Sequence, residues 1–365
     1  MDIAVHRPLL PNATRLIPYL EEIDASRWYS NRGPLLRRFE QALGRHFKVD
    51  PGRVVVVANA TAGLSLCLLG AGRRPGGLCI VPSWTYVASA VAVVRAGLTP
   101  WLHDVDETSW QLDPAGVADS IRREPGVAAV LVTAPFGARV DPAPWQELAE
   151  RTGVAVVIDA AAGFDSLAGG PVDAVVSLHA TKVLGIGEGG VVVARDAARA
   201  DRIRDLASFG ITADGEIRDA GMNAKLSDYG AAIGLAALDE WPLRRAAFQG
   251  VRDRYAARLG QAGPARPWLP EGVSSTFLVR LPGPMASGLG EALGRRGIAT
   301  RRWWGGGCHR HPAFAAAPRR DLPVTEALAD SVLGLPCYAD LAFRDIDGIV
   351  AELLAALGPS AGRGV

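Results

Sequence analysis

Lys182 is one of three lysines, with Lys48 and Lys225, among 39 basic residues that are otherwise Arg. It ends the stretch Ser177-Leu-His-Ala-Thr-Lys182 and precedes Val-Leu-Gly-Ile-Gly-Glu188-Gly-Gly190. A lysine amine can be tuned to attack a carbonyl and form a Schiff base, which the permanently protonated guanidinium of Arg cannot. Taken alone, the position also suits a solvated surface lysine. Asp159 stands 23 residues earlier, directly after the apolar run Val154 to Ile158. An acid there either caps a following helix or aims a charge into a site. Ser177 ends the next apolar run, five residues before Lys182.

Two further strand ends carry suggestive residues. Asn59-Ala-Thr61-Ala62-Gly63 follows Val54 to Val57 and opens a helical segment. Small and hydroxylic residues at such a turn can leave backbone N–H groups for an anion, or simply cap the helix. Pro82-Ser-Trp84-Thr-Tyr86 offers aromatic rings, either as a ligand wall or as core. One cofactor uses all these parts together. Pyridoxal phosphate needs a lysine for its aldehyde, a carboxylate opposite its pyridine nitrogen, a phosphate cradle and a flat wall for its ring.

These residues need a scaffold that brings strand ends together. Val54 to Ala58, Leu78 to Val81, Ala128 to Thr133, Val154 to Ile158, Ala174 to Leu178 and Val191 to Ala194 read as short strands, apolar on both faces. Helical segments lie between the first four: Ala62 to Gly70, Val87 to Gly97, Asp113 to Arg122 and Pro144 to Gly153. The pattern predicts an α/β fold, a mainly parallel sheet with helices on both faces. In such sheets ligands bind outside the carboxyl ends of the strands. Pro18 to Arg27 reads as a helix followed by the turn Asn31-Arg-Gly-Pro34. A single long helix from about Asp228 to Gly260 is expected to lead into a smaller C-terminal α+β domain. Within it Thr276 to Leu281 is a strand, and Met285 to Arg296 and Phe343 to Leu357 are helices. The division expected is 1–245 and 246–365, with a frayed tail from Pro359 to Val365.

Composition narrows the class. The 365 residues are 49% hydrophobic and 21% charged, values of a globular protein with a real core. A formal net charge of +1, with Arg pairs scattered at Arg73-Arg74, Arg301-Arg302 and Arg319-Arg320, gives no basic face for nucleic acid or an anionic membrane. The start Met1-Asp-Ile-Ala-Val-His has no charged region followed by a long apolar stretch, so no signal peptide is expected. No apolar run reaches membrane-spanning length. Cys67, Cys79, Cys308 and Cys337 have no CxxC spacing, so a zinc site is not expected. The chain reads as soluble, cytoplasmic and reduced.

The motifs together resemble the DegT/StrS-type sugar aminotransferases. The resemblance runs from about Leu9 to the last helix. It rests on Asn31-Arg-Gly-Pro34, Asn59-Ala-Thr61-Ala, Pro82-Ser-Trp-Thr-Tyr86, Asp159-Ala-Ala and Ser177-Leu-His-Ala-Thr-Lys182. Glu188-Gly-Gly190 and Asn223-Ala-Lys-Leu-Ser-Asp228, followed by Ala231-Ala-Ile-Gly-Leu, complete it. The resemblance implies the fold-type I architecture of pyridoxal phosphate enzymes. It implies that Lys182 holds the cofactor aldehyde, Asp159 pairs with the pyridine nitrogen and Tyr86 stacks on the ring. Thr61, Ala62 and Ser177 would hold the phosphate. Asn223 would reach the phosphate of a neighbouring subunit, making a homodimer with shared active sites. One departure stands out: where the family usually carries Gln or His three residues after the aspartate, this chain has Ala162.

Within that family the chain is most similar to the branch that aminates the 4-keto group of nucleotide-linked 6-deoxyhexoses, with L-glutamate as the expected donor. The similarity rests on Ser-Leu-His-Ala-Thr-Lys-Val, on Gly221-Met-Asn-Ala-Lys, and on Arg301-Arg-Trp-Trp with Gly307-Cys-His309-Arg310. Arg301, Arg302, His309 and Arg310 can contact phosphates, with Trp303 or Trp304 against a flat ring; equally they suit a surface turn and core aromatics. A 3-keto sugar or a cyclitol ketone remains an alternative acceptor. Sugar dehydratases of the family typically place His at the lysine position, so Lys182 argues against that chemistry. A nicotinamide enzyme would need G-x-G-x-x-G after the first strand, which Asn59-Ala-Thr-Ala-Gly63 does not supply. Ala162 keeps open a cofactor-binding homologue without turnover.

Overall fold

Val54, Val55, Val56 and Val57 are all buried, and four β-branched residues covered on both faces are the signature of a strand lying between two helix layers. This strand, β1 (Val54–Val57), joins β2 (Leu78–Pro82), β3 (Thr99–His103), β4 (Val127–Thr133), β5 (Ala155–Asp159), β6 (Asp173–Ser177) and β7 (Gly190–Val193). Their order is β1-β7-β6-β5-β4-β2-β3. β7 runs antiparallel to β1 and β6, and the other pairings are parallel. The computed structural model describes residues 2–72, 76–260 and 263–358; the Arg73-Arg74 pair and the tail Pro359 to Val365 lie outside them.

Helices cover both faces of this sheet. On one side pack α2 (Pro34–Phe47), α5 (Pro114–Arg123), α6 (Ala143–Thr152) and α8 (Asp228–Asp239), against Val54, Val56, Val130 and Ile158. On the other pack α3 (Ala60–Gly70), α4 (Val87–Arg95) and α7 (Ala197–Ala207), against Val55, Val57, Leu131 and Val157. Alternate residues of one strand thus feed opposite cores, as the two-residue repeat requires. The N-terminal helix α1 (Ala13–Ser26) is capped by Asn12, whose side chain accepts from Arg15 N–H, and it lies against α8.

The expected long helix over 228–260 is two helices. α8 stops at Asp239, and α9 (Trp241–Leu259) restarts with Pro242 in its first turn. Proline has no N–H to donate back and its ring crowds the preceding turn, which breaks the helix there. Beyond α9 come β8 (Arg266–Trp268), β9 (Phe277–Arg280), α10 (Ala286–Gly294), α11 (Pro323–Ser331), β10 (Val332–Leu335) and α12 (Phe343–Leu357). The second sheet has order β10-β9-β8 and is antiparallel. The N-terminal segment packs here too, through an Ile3–Ile298 bridge and a Cys337 N–H that donates to Val5. Trp84, Trp110, Phe136, Trp268 and Trp304 fill the junction between the sheets. No helix among the described residues is long and apolar enough to cross a membrane.

Candidate active site

Strand register collects the chemistry on one edge of the large sheet. Thr133 ends β4 opposite Asp159, the last residue of β5. Ser177 ends β6 opposite Gly190, which also faces Val57 at the end of β1. Lys182 follows on the β6–β7 connection, where Ala180 N–H donates to Gly187 and Ile186 N–H to Leu178. That loop is thereby a fixed platform for the lysine.

Asp159 is 4% exposed. No helix follows it, so it is not a helix cap. One carboxylate oxygen accepts from Ala161 N–H at 3.0 Å and the other from the Ser89 hydroxyl at 2.6 Å. Burial pushes its pKa up, while the Ser89 hydroxyl, Ala161 N–H and the nearby Lys182 amine pull it back. Burial likewise pulls the Lys182 amine below the ordinary lysine value, opposed by Asp159. An amine shifted this way is more often neutral, hence more nucleophilic and a better base. Lys182 and Asp159 therefore sense each other electrostatically, although separate strand ends carry them.

Thr61 and Ala62 lie in the first turn of α3, as expected. Asn59 is the helix cap: its side chain accepts from Ala62 N–H at 2.9 Å. The Ala62 amide is thus already engaged, and Thr61 is half-buried beside it. Gly190 determines how closely the strand approaches this turn. A Cβ there would stand 2.6 Å from Ala60 N, so a side chain would drive α3 away from the edge. Ser177 accepts from His179 N–H at 3.2 Å, and among the described residues no acceptor takes its own proton. Tyr86, immediately before α4, is 59% exposed. Asn223 is exposed and its side chain accepts from Lys225 at 2.8 Å. The adjoining Ala224 accepts from Ala58 N–H at 2.7 Å, which holds this segment along the end of β1.

The residues expected to meet a substrate divide into two groups. His309 is drawn to the large sheet: its Nδ1 lies 2.8 Å from Ser83 Oγ, and Cys308 N–H donates to Ser83 at 2.7 Å. Trp304 stacks on Phe136 with centroids 3.9 Å apart and planes 12° from parallel. Arg310 is exposed and lies 3.7 Å from Asp330, which also accepts from Arg302. Arg301 lies over the Trp303 ring.

Sequence reasoning did not single out Ser89, Thr85, Thr133 or His6. Ser89 had one available signal, a lone hydroxyl within the apolar helix Val87-Ala-Ser-Ala-Val-Ala-Val-Val. His6 had none, since the N-terminal segment comes to the site by tertiary packing. Burial pulls its imidazole pKa down, and the positive charges of Arg301, Lys182 and His179 add to this. With Lys182, Ala180, Arg244, Ser275 and Tyr338 it lines a small cavity. Ala162 has no side-chain polar group, and its carbonyl backs onto Gly137.

These groups fit pyridoxal phosphate. They include a buried acid hydrogen-bonded as a carboxylate, an amine depressed by burial, a hydroxyl-bearing helix start kept close by Gly190, and an exposed tyrosine ring. The sequence profile of the DegT/DnrJ/EryC1/StrS aminotransferase family matches residues 12–354. Protein Rv3402c of Mycobacterium tuberculosis is 32% identical over 95% of this chain and 88% of its own. The dTDP-3-amino-3,4,6-trideoxy-alpha-D-glucose transaminase of Streptomyces venezuelae is 34% identical over 87% of this chain and 86% of its own. Among solved structures, DesI in the presence of its TDP-sugar product superposes with a TM-score of 0.89 at 32% identity, covering 98% of this chain and 93% of that one. The chain therefore belongs to the DegT/DnrJ/EryC1/StrS family and is a pyridoxal-phosphate-dependent aminotransferase.

Proposed function

We propose that this protein moves an amino group from L-glutamate to the C4 keto carbon of a nucleotide-linked 6-deoxyhexose, as a cytoplasmic homodimer serving aminosugar assembly. The observation that carries the chemistry is the strand register that sets the buried Asp159, Ser177 and the loop bearing Lys182 at one end of the sheet, with Asp159 accepting from Ser89 and Ala161. The sugar-nucleotide class is supported by the Streptomyces relative and by the product held in DesI, both dTDP- or TDP-linked sugars by name. The C4 position is supported by Ser177-Leu-His-Ala-Thr-Lys-Val and Gly221-Met-Asn-Ala-Lys.

Bound at this edge, pyridoxal phosphate supplies an aldehyde for an amine and a ring that absorbs the electrons left when a substrate C–H loses its proton. Lys182 would hold the aldehyde. Its Nζ, when not holding the aldehyde, would serve as the base and acid that moves a proton at the substrate carbon. Asp159 would keep the ring nitrogen protonated, and Tyr86 would cover the ring. Thr61 and Ser177 would hold the phosphate, the Ala62 amide being taken by Asn59 Oδ1, and Asn223 of a partner subunit would join them. Trp304, His309 and Arg310 bound the acceptor side. Donor product leaves before acceptor enters, a ping-pong order.

A second reading places the new amine at C3, favoured by the 3-amino product named for the Streptomyces relative. The test is an absorbance spectrum before and after L-glutamate, beside Lys182→Ala. A visible band that bleaches with glutamate and is lost in Lys182→Ala supports the donor half. Restoration of the band by 4-keto but not 3-keto sugar nucleotides supports C4. A band unresponsive to every amino acid tried would overturn the transfer reading.

A further inference from the structure

Behind Asp159 lies a line of buried hydroxyls. Ser89 Oγ donates to Asp159 Oδ2 at 2.6 Å. Ser89 Oγ and Thr85 Oγ1 are 2.9 Å apart, and Thr85 Oγ1 is 2.9 Å from Thr133 Oγ1. All three are almost inaccessible: Ser89 0%, Thr85 1% and Thr133 5% exposed. A hydroxyl has one proton to give. An ionised carboxylate can only accept, so with Asp159 charged Ser89 gives its proton to it and must receive one from Thr85. Thr85 in turn must receive from Thr133. The direction of the whole line is thereby fixed, every proton pointing toward the carboxylate. Three elements contribute: Thr133 ends β4, Thr85 follows β2, and Ser89 stands in α4 directly beyond Tyr86.

We propose that Thr133, Thr85 and Ser89 form a one-way hydroxyl relay that holds Asp159 ionised and fixes its orientation, making Ser89 a positioning residue for the cofactor's ring nitrogen. The inference rests on Asp159 facing that nitrogen, as proposed above. Dipoles aligned in series strengthen one another where water is excluded, and a hydrogen bond to a carboxylate is stronger than a neutral one. Burial alone disfavours the anion at this position, and a protonated Asp159 would not hold a proton on the ring. The relay supplies what burial removes. It is also the polar support nearest the acid in a chain whose Ala162 offers none from its side chain.

The test uses the full chain with pyridoxal phosphate. Ser89→Ala cuts the relay at the acid, Thr85→Val one step back, and Thr133→Val at its far end. Ser120→Ala is the control, a fully buried serine on α5 outside the site. The readouts are the cofactor dissociation constant and the pH midpoint of the Lys182-dependent visible band. Ser89→Ala should weaken cofactor binding roughly tenfold. It should also move the midpoint up, because a ring nitrogen that has lost its proton no longer repels the proton on the Lys182 linkage. Thr85→Val and Thr133→Val should shift both in the same direction by successively smaller amounts, and they carry the test if Ser89→Ala does not fold. A wild-type band with all three variants matching Ser120→Ala would overturn the relay alone. No Lys182-dependent band in the wild type would overturn the proposed function and the relay with it.

Discussion

His309 reaches across the junction between the two sheets to place Nδ1 2.8 Å from Ser83 Oγ, while its own N–H donates to the same oxygen at 3.3 Å. Ser83 lies just beyond β2 and three residues before Tyr86, so this contact fixes the 303–311 segment relative to the proposed cofactor wall. Burial lowers the imidazole pKa, with Arg310 adding to it, so the ring is neutral near pH 7 and suited to a neutral bond. Ser83→Ala should therefore raise KM for the keto acceptor about fivefold, the worth of one neutral hydrogen bond. The donor half-reaction, followed by bleaching of the visible band, should be nearly unchanged. Steady-state kinetics beside single-turnover bleaching separates the two effects.

The opposite edge of the sheet carries a buried ion pair. Arg199 Nε donates to Asp173 Oδ2 at 2.7 Å, with side chains 8% and 5% exposed. Asp173 also accepts from Arg195 N–H at 3.0 Å, and Arg199 donates to the Cys67 carbonyl. Arg199→Met would leave that carboxylate buried without its charge partner and should cost about 3–5 kcal/mol. Urea unfolding checks this. The absorbance of cofactor bound by the folded fraction should match the wild type, since Asp173 begins β6 and Ser177 ends it.

Most of the scaffold was legible because it obeys local rules. Val54–Val57 and the runs ending at Asp159 and Ser177 are apolar on both faces, as strands covered by helices on both sides must be, and their polar ends mark the candidate site. What was missed depends on distant chain. β3 holds Pro100 and His103, which break up an apolar run at the sheet edge. α2 begins after Gly33, which offers no capping side chain. Its cap comes from Asp228, whose carboxylate accepts from the N–H groups of Gly33, Leu35 and Leu36. The same holds at the site. Lys182 and Asp159 announce themselves by type and spacing, whereas Thr133, Thr85 and Ser89 become a line only once β4, β2 and α4 lie side by side.

Lys182, the proposed cofactor lysine, carries a pH-dependent loss of stability. Its folded-state pKa lies below the ordinary value of 10.5, chiefly through burial. The folded chain then binds fewer protons at this amine than the unfolded chain does. A depressed folded value contributes stability that is present above 10.5 and lost as pH falls through the folded value. Lys182→Met removes that penalty. Asp159 loses a helpful neighbour in the variant, but Lys182 ranks last among the four influences on it. Cofactor-free Lys182→Met should thus be more stable than cofactor-free wild type near neutral pH. The two should converge as pH approaches about 10.5. Urea midpoints across that range give the comparison; equal midpoints at neutral pH would contradict it.

The proposed sharing of active sites between subunits can be tested by mixing variants. Asn223 is exposed, and the segment before it presents Phe209, Ile211 and Ile217 to the surface, 49%, 45% and 61% exposed. Such a patch beside a proposed phosphate contact suits a second copy of the chain. Asn223→Ala alone should weaken cofactor binding roughly tenfold, as expected for a lost contact to a charged group. Mixing it with inactive Lys182→Ala then distinguishes the two geometries at limiting cofactor. If Asn223 serves the partner, each mixed dimer contains one intact site and one doubly damaged site. Random mixing would recover about one quarter of wild-type activity, half the dimers being mixed with one good site each. If Asn223 serves its own chain, every site keeps a lesion and mixing recovers nothing.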